Sequence, residues 1–357
     1  MALQEYECPS CGGYMEFSAT LQKLKCPFCD TEIAVEDYQA PHKPKEESAH
    51  TENAQNSWQD GETAGMYVYT CQSCGGEIIG DETLGSTACP FCNNNVVMKE
   101  KFEGDLRPDY IIPFKISKEA AKESYKNYLK KKKILPKVFF AENHIDEMKG
   151  LYVPYWIYNS SISEDASYSC TKVKTWSDRD YHYTDTSYYD VHRTGSESFA
   201  NIPVDASKEM PDDMMESLEP FDFKEAKPFN MGFMAGFIAN RYDVEQSATK
   251  DRIKQRISET IDNDIRESVK GYSSVVSKSK NINITNMTSK YALYPVWLLS
   301  TTWRDEHFLF AVNGQTGAFV GRLPLDKGLA FRYYLKWAGI MVLIAIVIIA
   351  LLALPKL

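Results

Sequence analysis

The stretch Cys8-Pro9-Ser10-Cys11-Gly12-Gly13, with Cys26-Pro27-Phe28-Cys29 following after 14 intervening residues, fixes the character of the first part of the chain. It recurs as Cys71-Gln72-Ser73-Cys74-Gly75-Gly76 and Cys89-Pro90-Phe91-Cys92, each cysteine 63 positions further on, so this region is an internal duplication. Two Cys-x-x-Cys knuckles at such a separation bring four thiolates to one tetrahedral ion, the arrangement of a structural zinc site. In each knuckle two sulfurs must turn to the same ion within a few residues. Gly12, Gly13, Gly75 and Gly76 reach the backbone conformations this asks for without a Cβ penalty, and Pro27 and Pro90 stiffen the second knuckles.

Two other readings of these cysteines are weaker. Cys-Pro-x-Cys also occurs in thiol oxidoreductases, where the first thiol is acidified at a helix N-terminus. Here each pair has a second pair at ribbon spacing, and no strand-helix pattern of a thioredoxin follows. Disulfides suit oxidising compartments, and the opening residues do not read as a secretory signal. With four thiolates per ion no coordination position is left for water or substrate, so Cys8, Cys11, Cys26, Cys29 and Cys71, Cys74, Cys89, Cys92 are expected to hold two structural Zn2+ ions. A ribbon of roughly 30 residues buries little core, so the metal is expected to supply its folding free energy.

Charge then limits the partners. The 357-residue chain carries 40 Lys plus Arg against 49 Asp plus Glu. Residues 1–100 hold five Lys, no Arg and 16 acidic residues, 5 − 16 = −11, which leaves −9 + 11 = +2 for the remainder. An acidic ribbon region is a poor grip for a nucleic-acid backbone. The basic cluster Lys126, Lys130, Lys131, Lys132, Lys133 and Lys137 offers a contact for anionic lipid or a nucleic-acid backbone, but reads better as the solvated end of a helix, where cations suit the dipole.

Residues 338–354 form an apolar run without a charge, preceded by Trp337. Those 18 residues span roughly 27 Å as a helix, near the thickness of a bilayer core, and show no polar face. Arg322, Lys327, Arg332 and Lys336 precede the run with only Asp326 opposing them, which by the positive-inside rule predicts a cytoplasmic flank. A span so close to the end of the sequence predicts a tail-anchored, single-pass protein of the cell membrane with its N-terminal bulk in the cytoplasm.

The middle of the chain reads as α+β. Tyr110 to Phe114 suggests a short strand, Ser117 an N-cap, and Asn313-Gly314-Gln315-Thr316-Gly317 a hairpin turn. Tyr152-Val153-Pro154-Tyr155-Trp156 and Leu293-Tyr294-Pro295-Val296-Trp297 look alike, which suggests a weak duplication with each Pro at a strand start or edge and each Trp as a core anchor. Ile253, Ile257, Ile261, Ile265 and Val269 recur every four residues on a long helix, with Asp243 and Gln246 as its capping box and Gly271 at its C′ position. The apolar residues 229–239 are too few to cross a bilayer and fit the core better than a membrane interface. No phosphate-binding loop, dinucleotide fingerprint, His-Glu-x-x-His or Gly-x-Ser-x-Gly is present, and Cys170 has no base beside it, so no enzyme activity is expected.

The Cys-Pro-x-Cys-Gly-Gly knuckle with its Cys-Pro-Phe-Cys partner, Ile112-Pro113-Phe114, Gly150-Leu151-Tyr152-Val153-Pro154-Tyr155-Trp156, Met234-Ala235-Gly236-Phe237 with Tyr242-Asp243-Val244, and the Asn313 turn together resemble a family. It is that of bacterial tail-anchored zinc-ribbon membrane proteins, often labelled after transcription-factor or primosomal-helicase ribbons. The resemblance covers nearly the whole chain, although the duplicated ribbon departs from the simplest members. It implies association with a flotillin-like SPFH protein and a PspA-type membrane-stress protein. The expected organisation is a zinc ribbon over 1–36, a flexible polar linker over 37–62, a second ribbon over 63–100, an antiparallel strand-rich α+β body over 101–336 and a transmembrane helix over 337–354. The expected role is a non-enzymatic scaffold in a membrane-stress or membrane-organisation complex, using its ribbons for protein-protein interaction. Its rival is a membrane-tethered nucleic-acid-binding regulator.

Overall fold

A computed structural model describes residues 6–38, 57–58, 62–63, 65–80, 88–102, 106–130, 132, 134–304 and 306–353. The first ribbon is a three-stranded antiparallel sheet of β1 (Glu16–Ser18), β2 (Lys23–Lys25) and β3 (Glu32–Ile33). The second contributes β4 (Tyr67–Cys71), β5 (Glu77–Gly80) and β6 (Val96–Lys101). The body follows with β7 (Tyr110–Ile111), α1 (Lys118–Lys130), α2 (Glu142–Ile145), β8 (Lys149–Ser177) and β9 (His182–Asp205). Next come α3 (Asp212–Ser217), β10 (Lys227–Pro228), β11 (Ile238–Asn240), α4 (Gln246–Glu267), β12 (Ser274–Trp303), β13 (Glu306–Asn313), β14 (Phe319–Gly321) and α5 (Lys327–Ala353). The strand-rich α+β class read from the sequence is the observed one.

The two look-alike segments lie side by side. In the antiparallel ladder of β8 with β12, Val153 stands opposite its own counterpart Tyr294, Pro154 opposite Leu293 and Pro295 opposite Tyr152. The likeness extends further than the sequence suggested. β11 runs parallel to β8 at Leu151 and Tyr152, and β7 runs parallel to β12 at the corresponding Ala292 and Leu293. α1 begins seven residues after the end of β7, α4 six after the end of β11. Each unit is therefore a strand, a helix and a hairpin, and each opening strand is added to the other unit's hairpin. Equivalent indole N–H groups close the two units: Trp156 donates to the Val244 carbonyl at 2.9 Å and Trp297 to that of Ile116 at 2.8 Å.

The prolines do not mark strand starts or edges; both lie inside long strands. The Pro154 carbonyl accepts from Ala206 N–H, so its missing N–H faces the gap where β11 gives way to β9. Pro295 accepts from Gly314 N–H, just past the end of the β13 register at Asn313. No ladder bond is lost at either place, which is how a central strand tolerates the residue.

Burial follows the layers. From Leu151 to Tyr158 every residue of β8 is buried, because both faces of the sheet are covered there. One face meets α1, α4 and the first ribbon; the other meets Met210, Met214, Leu218 and the second ribbon. Further along β8, among the described residues, α4 covers one face of the sheet, and burial alternates through Ser160, Ile162, Glu164, Ala166, Tyr168 and Cys170. The row Ile253, Ile257, Ile261, Ile265 and Val269 is buried as its four-residue period requires. Residues 229–239 belong to the core, with Phe229, Met231, Phe233, Met234 and Ala239 buried.

At the helix ends, Ser117 Oγ accepts from Ala120 N–H at 3.2 Å, the expected cap of α1. The capping box of α4 is not formed: Asp243 accepts from Lys208 N–H, and Glu245 stands at the N-cap without a side-chain bond. Gly271 has φ +84 but lies beyond the C-cap Ser268, in the turn leading to β12.

The ribbons are docked, in contrast to the tethered picture drawn from composition. β5 pairs with β11 through Ile79 and Ala239, so the second ribbon extends the main sheet. The first ribbon buries Phe17 against Phe233, with ring centroids 5.3 Å apart, and Phe17 N–H donates to the Ala235 carbonyl. Most of the expected linker, with His42 and His50, lies outside the described residues. Its described end is tied down: Glu62 pairs with Arg107 through two bonds of 2.9 Å, and Trp58 packs on Phe102 and Phe229. Composition measured polarity here and missed these anchors.

Candidate metal centres and membrane segment

Each knuckle is built by the same backbone turns. Gly12 N–H returns to the Cys8 carbonyl at 2.8 Å and Gly75 N–H to that of Cys71 at 2.9 Å, with φ of +73 and +81. Only a residue without Cβ adopts this readily. In the second knuckles the left-handed positions fall on Asp30 (φ 58) and Asn93 (φ 61), residue types that tolerate that region. Sequence reading passed over these two, though an Asp or Asn directly after each Cys-Pro-Phe-Cys was visible.

The turns aim four sulfurs at one point. Sγ atoms of Cys8 and Cys29 are 3.4 Å apart and those of Cys11 and Cys26 3.5 Å; the second set has 3.4 Å for Cys71 and Cys92 and 3.7 Å for Cys74 and Cys89. Within each set all four lie within 4.8 Å of one another, and no disulfide links them. All eight predicted residues are thus gathered as expected, into two groups able to hold a metal ion. Cys170 is buried and belongs to neither.

The electrostatics suit a cation. Burial opposes ionisation of Cys8, but N–H groups of Ser10 and Cys11 outweigh it and lower the thiol to about 6. Burial likewise opposes ionisation of Cys92, and the backbone and side-chain amides of Asn94 bring it down to about 7. Cys74 is pushed up to about 11, chiefly by burial. Cys29 is lowered as well, chiefly by the Thr31 hydroxyl, so in each set some thiols ionise readily while their crowded neighbours resist, which a shared cation would relieve.

The last helix is the second functional feature. Lys327–Ile349 is long and apolar enough to cross a membrane, and none of it is buried. At 1.5 Å per residue its 23 residues reach about 35 Å. α5 begins ten residues before the expected start, carrying Lys327, Arg332, Tyr333, Tyr334 and Lys336 ahead of Trp337. Arg322 of the basic flank pairs with Asp213 of α3. Residue 354, the end of the expected span, lies outside the described residues. In the basic cluster, Lys126 pairs with Glu142 at 2.7 Å and Lys132 sits over the Tyr128 ring; Lys131 and Lys133 lie outside the described residues.

No family model and no solved structure matches the chain. Over 334 residues, 94% of this chain and 94% of the relative, it is 31% identical to the uncharacterized protein YdjG of Bacillus subtilis (strain 168), and it belongs to that protein's family.

Proposed function

We propose that the protein is a non-enzymatic membrane scaffold whose two zinc ribbons and α+β body present protein-binding surfaces in the cytoplasm, held at the bilayer by α5. The observation that carries this is the joining, in one chain, of two closed four-cysteine groups to an apolar helix with none of its span buried. Four thiolates and tetrahedral packing favour zinc, which when bound supplies folding free energy on the order of 10 kcal/mol and leaves no open coordination position. The chain's own part is to preform the turns and to surround the sulfurs with donors such as Asn94 Nδ2 on Cys92 and Thr31 Oγ1 on Cys29. The basic residues at the head of α5 favour insertion with the body on the cytoplasmic side.

The resemblance to tail-anchored zinc-ribbon proteins supports a flotillin-like SPFH protein and a PspA-type protein as partners, in a membrane-stress or membrane-organisation complex. A nucleic-acid role gains nothing from the ribbons, which lack Arg and carry a net negative charge. The test is to isolate the tagged protein from native membranes in mild detergent, with elemental analysis of the product. Two zinc ions per chain and co-isolation of SPFH-type or PspA-type proteins, dependent on the ribbon cysteines, is the expected outcome. A nanomolar, sequence-selective nucleic-acid complex lost with those cysteines would overturn it.

A further inference from the structure

The duplication places Phe28 and Phe91 at the same position, 63 residues apart, in ribbons with the same local geometry. In both, the ring lies over the second glycine of the first knuckle: an ideal Cβ on Gly13 would stand 2.6 Å from Phe28, and on Gly76 2.9 Å from Phe91. Their surroundings differ. Phe91 is 7% exposed, in the buried cluster that includes Met210 and Met214, with Glu209 close against Gly76. Phe28 is 64% exposed and has Tyr14, itself 52% exposed, edge-on at 5.1 Å. The first ribbon docks on the body through Phe17, on its strands, and leaves this knuckle facing outward.

The second ribbon therefore displays, within one chain, what such a knuckle binds. Its aromatic ring enters a methionine-bearing apolar surface with Glu209 close against Gly76, and Lys149 Nζ donates to the Ala88 carbonyl, beside Cys89. The first ribbon's own charge calls for a basic rim on its partner. Its residues 6–38 carry Lys23 and Lys25 against Glu7, Glu16, Asp30, Glu32, Glu36 and Asp37, 2 − 6 = −4, and four thiolates on a divalent ion add −2. Two such ribbons would repel each other, which disfavours a second copy's knuckle as the occupant. The equivalent body surface of a second copy is already covered by its own second ribbon.

We infer that the Phe28 and Tyr14 face of the first ribbon is a docking site for a different protein, one presenting a Met- or Leu-lined apolar pocket rimmed by Lys or Arg. This rests on the ribbons being protein-binding modules and names the face that binds. An aromatic ring in a pocket supplies affinity, and the opposed charges supply orientation and on-rate.

The test places the photo-crosslinker benzoylphenylalanine at Phe28 in the full-length protein in native membranes and maps the adducts by mass spectrometry. The same group at Phe91 and at the exposed Val276 serves as control. The expected adduct from position 28 is to another polypeptide, at a site with Met or Leu and with Lys or Arg nearby. Binding of that purified polypeptide to the detergent-solubilised protein should fall at least tenfold with Phe28→Ser or Tyr14→Ser and weaken with salt, while two metal ions per chain are retained. Adducts only to a second copy, to lipid or within the same chain, or no more adduct than at position 276, would overturn the proposal. If Phe28→Ser is silent while Cys26→Ser abolishes binding, the ribbon binds through another face and only this inference fails. If neither matters, the ribbon-adaptor reading fails with it.

Discussion

Trp156 and Trp297 make the same hydrogen bond in two copies of one unit, the first to the Val244 carbonyl and the second to that of Ile116. Each bond ties a long strand to the segment between a short parallel strand and the helix after it. The body is thus held by two reciprocal clasps, and the ribbons and α5 are attached around them.

Replacing either tryptophan with phenylalanine keeps most of the apolar volume and removes the donor. A half-buried carbonyl then loses its partner, with an expected cost of about 1 kcal/mol for each substitution. Urea unfolding of the detergent-solubilised protein, followed by the remaining tryptophans, measures it. A loss confined to one of the two would contradict the equivalence of the units.

The glycines under the two phenylalanine rings should respond unequally to alanine. In Gly76→Ala the new methyl meets a ring fixed in the core, and overpacking costs typically about 1–3 kcal/mol. In Gly13→Ala the exposed Phe28 ring can swing aside, so the effect should stay below about 1 kcal/mol. Thermal unfolding of the two variants under one condition makes the comparison.

Metal loss should be felt differently in the two ribbons. Cys26→Ser and Cys89→Ser should each leave about one metal ion per chain, counted by elemental analysis. Because β5 pairs with β11, the Cys89 change should also loosen the main sheet. Hydrogen exchange at residues 238–240 and 151–153 should rise with Cys89→Ser and much less with Cys26→Ser.

Asp205 gives the fold a pH dependence. Burial pushes its carboxyl up to about 7, against the attraction of Arg252 3.2 Å away and with the help of Asp212. Its folded value exceeds the unfolded value of about 3.9, so the native state holds the proton more tightly. The stability it contributes is present below about pH 4 and is lost as pH rises through about 7. Asp205→Asn should flatten that part of the stability profile, measured by denaturant midpoints from pH 5 to 8.

Much of this arrangement was written in local chemistry. The cysteine spacing gave both metal groups residue by residue, the four-residue period of Ile253 to Val269 gave the buried face of α4, and Ser117 gave a cap. Pairing between distant segments was not legible in the same way. Pro154 and Pro295 looked like edge signals because nothing in the sequence says where β11 and β13 end. The docking of the ribbons depends on Phe17 meeting Phe233 and on β5 meeting β11, contacts across more than 150 residues. Glu164, in the buried row under α4, has its carboxyl raised by burial and by Asp262, and no motif marked it.

The most direct test of the scaffold account is where the chain resides and what it carries when α5 is removed. Full-length protein and a chain ending at Asp326 are expressed in parallel, membranes are washed with alkaline carbonate, and zinc is measured in each fraction. The account predicts full-length protein that resists the wash and a truncated chain that is soluble, folded and loaded with about two zinc ions. A truncated chain that stays in the washed membrane, or a soluble one with fewer than two metal ions, would contradict it.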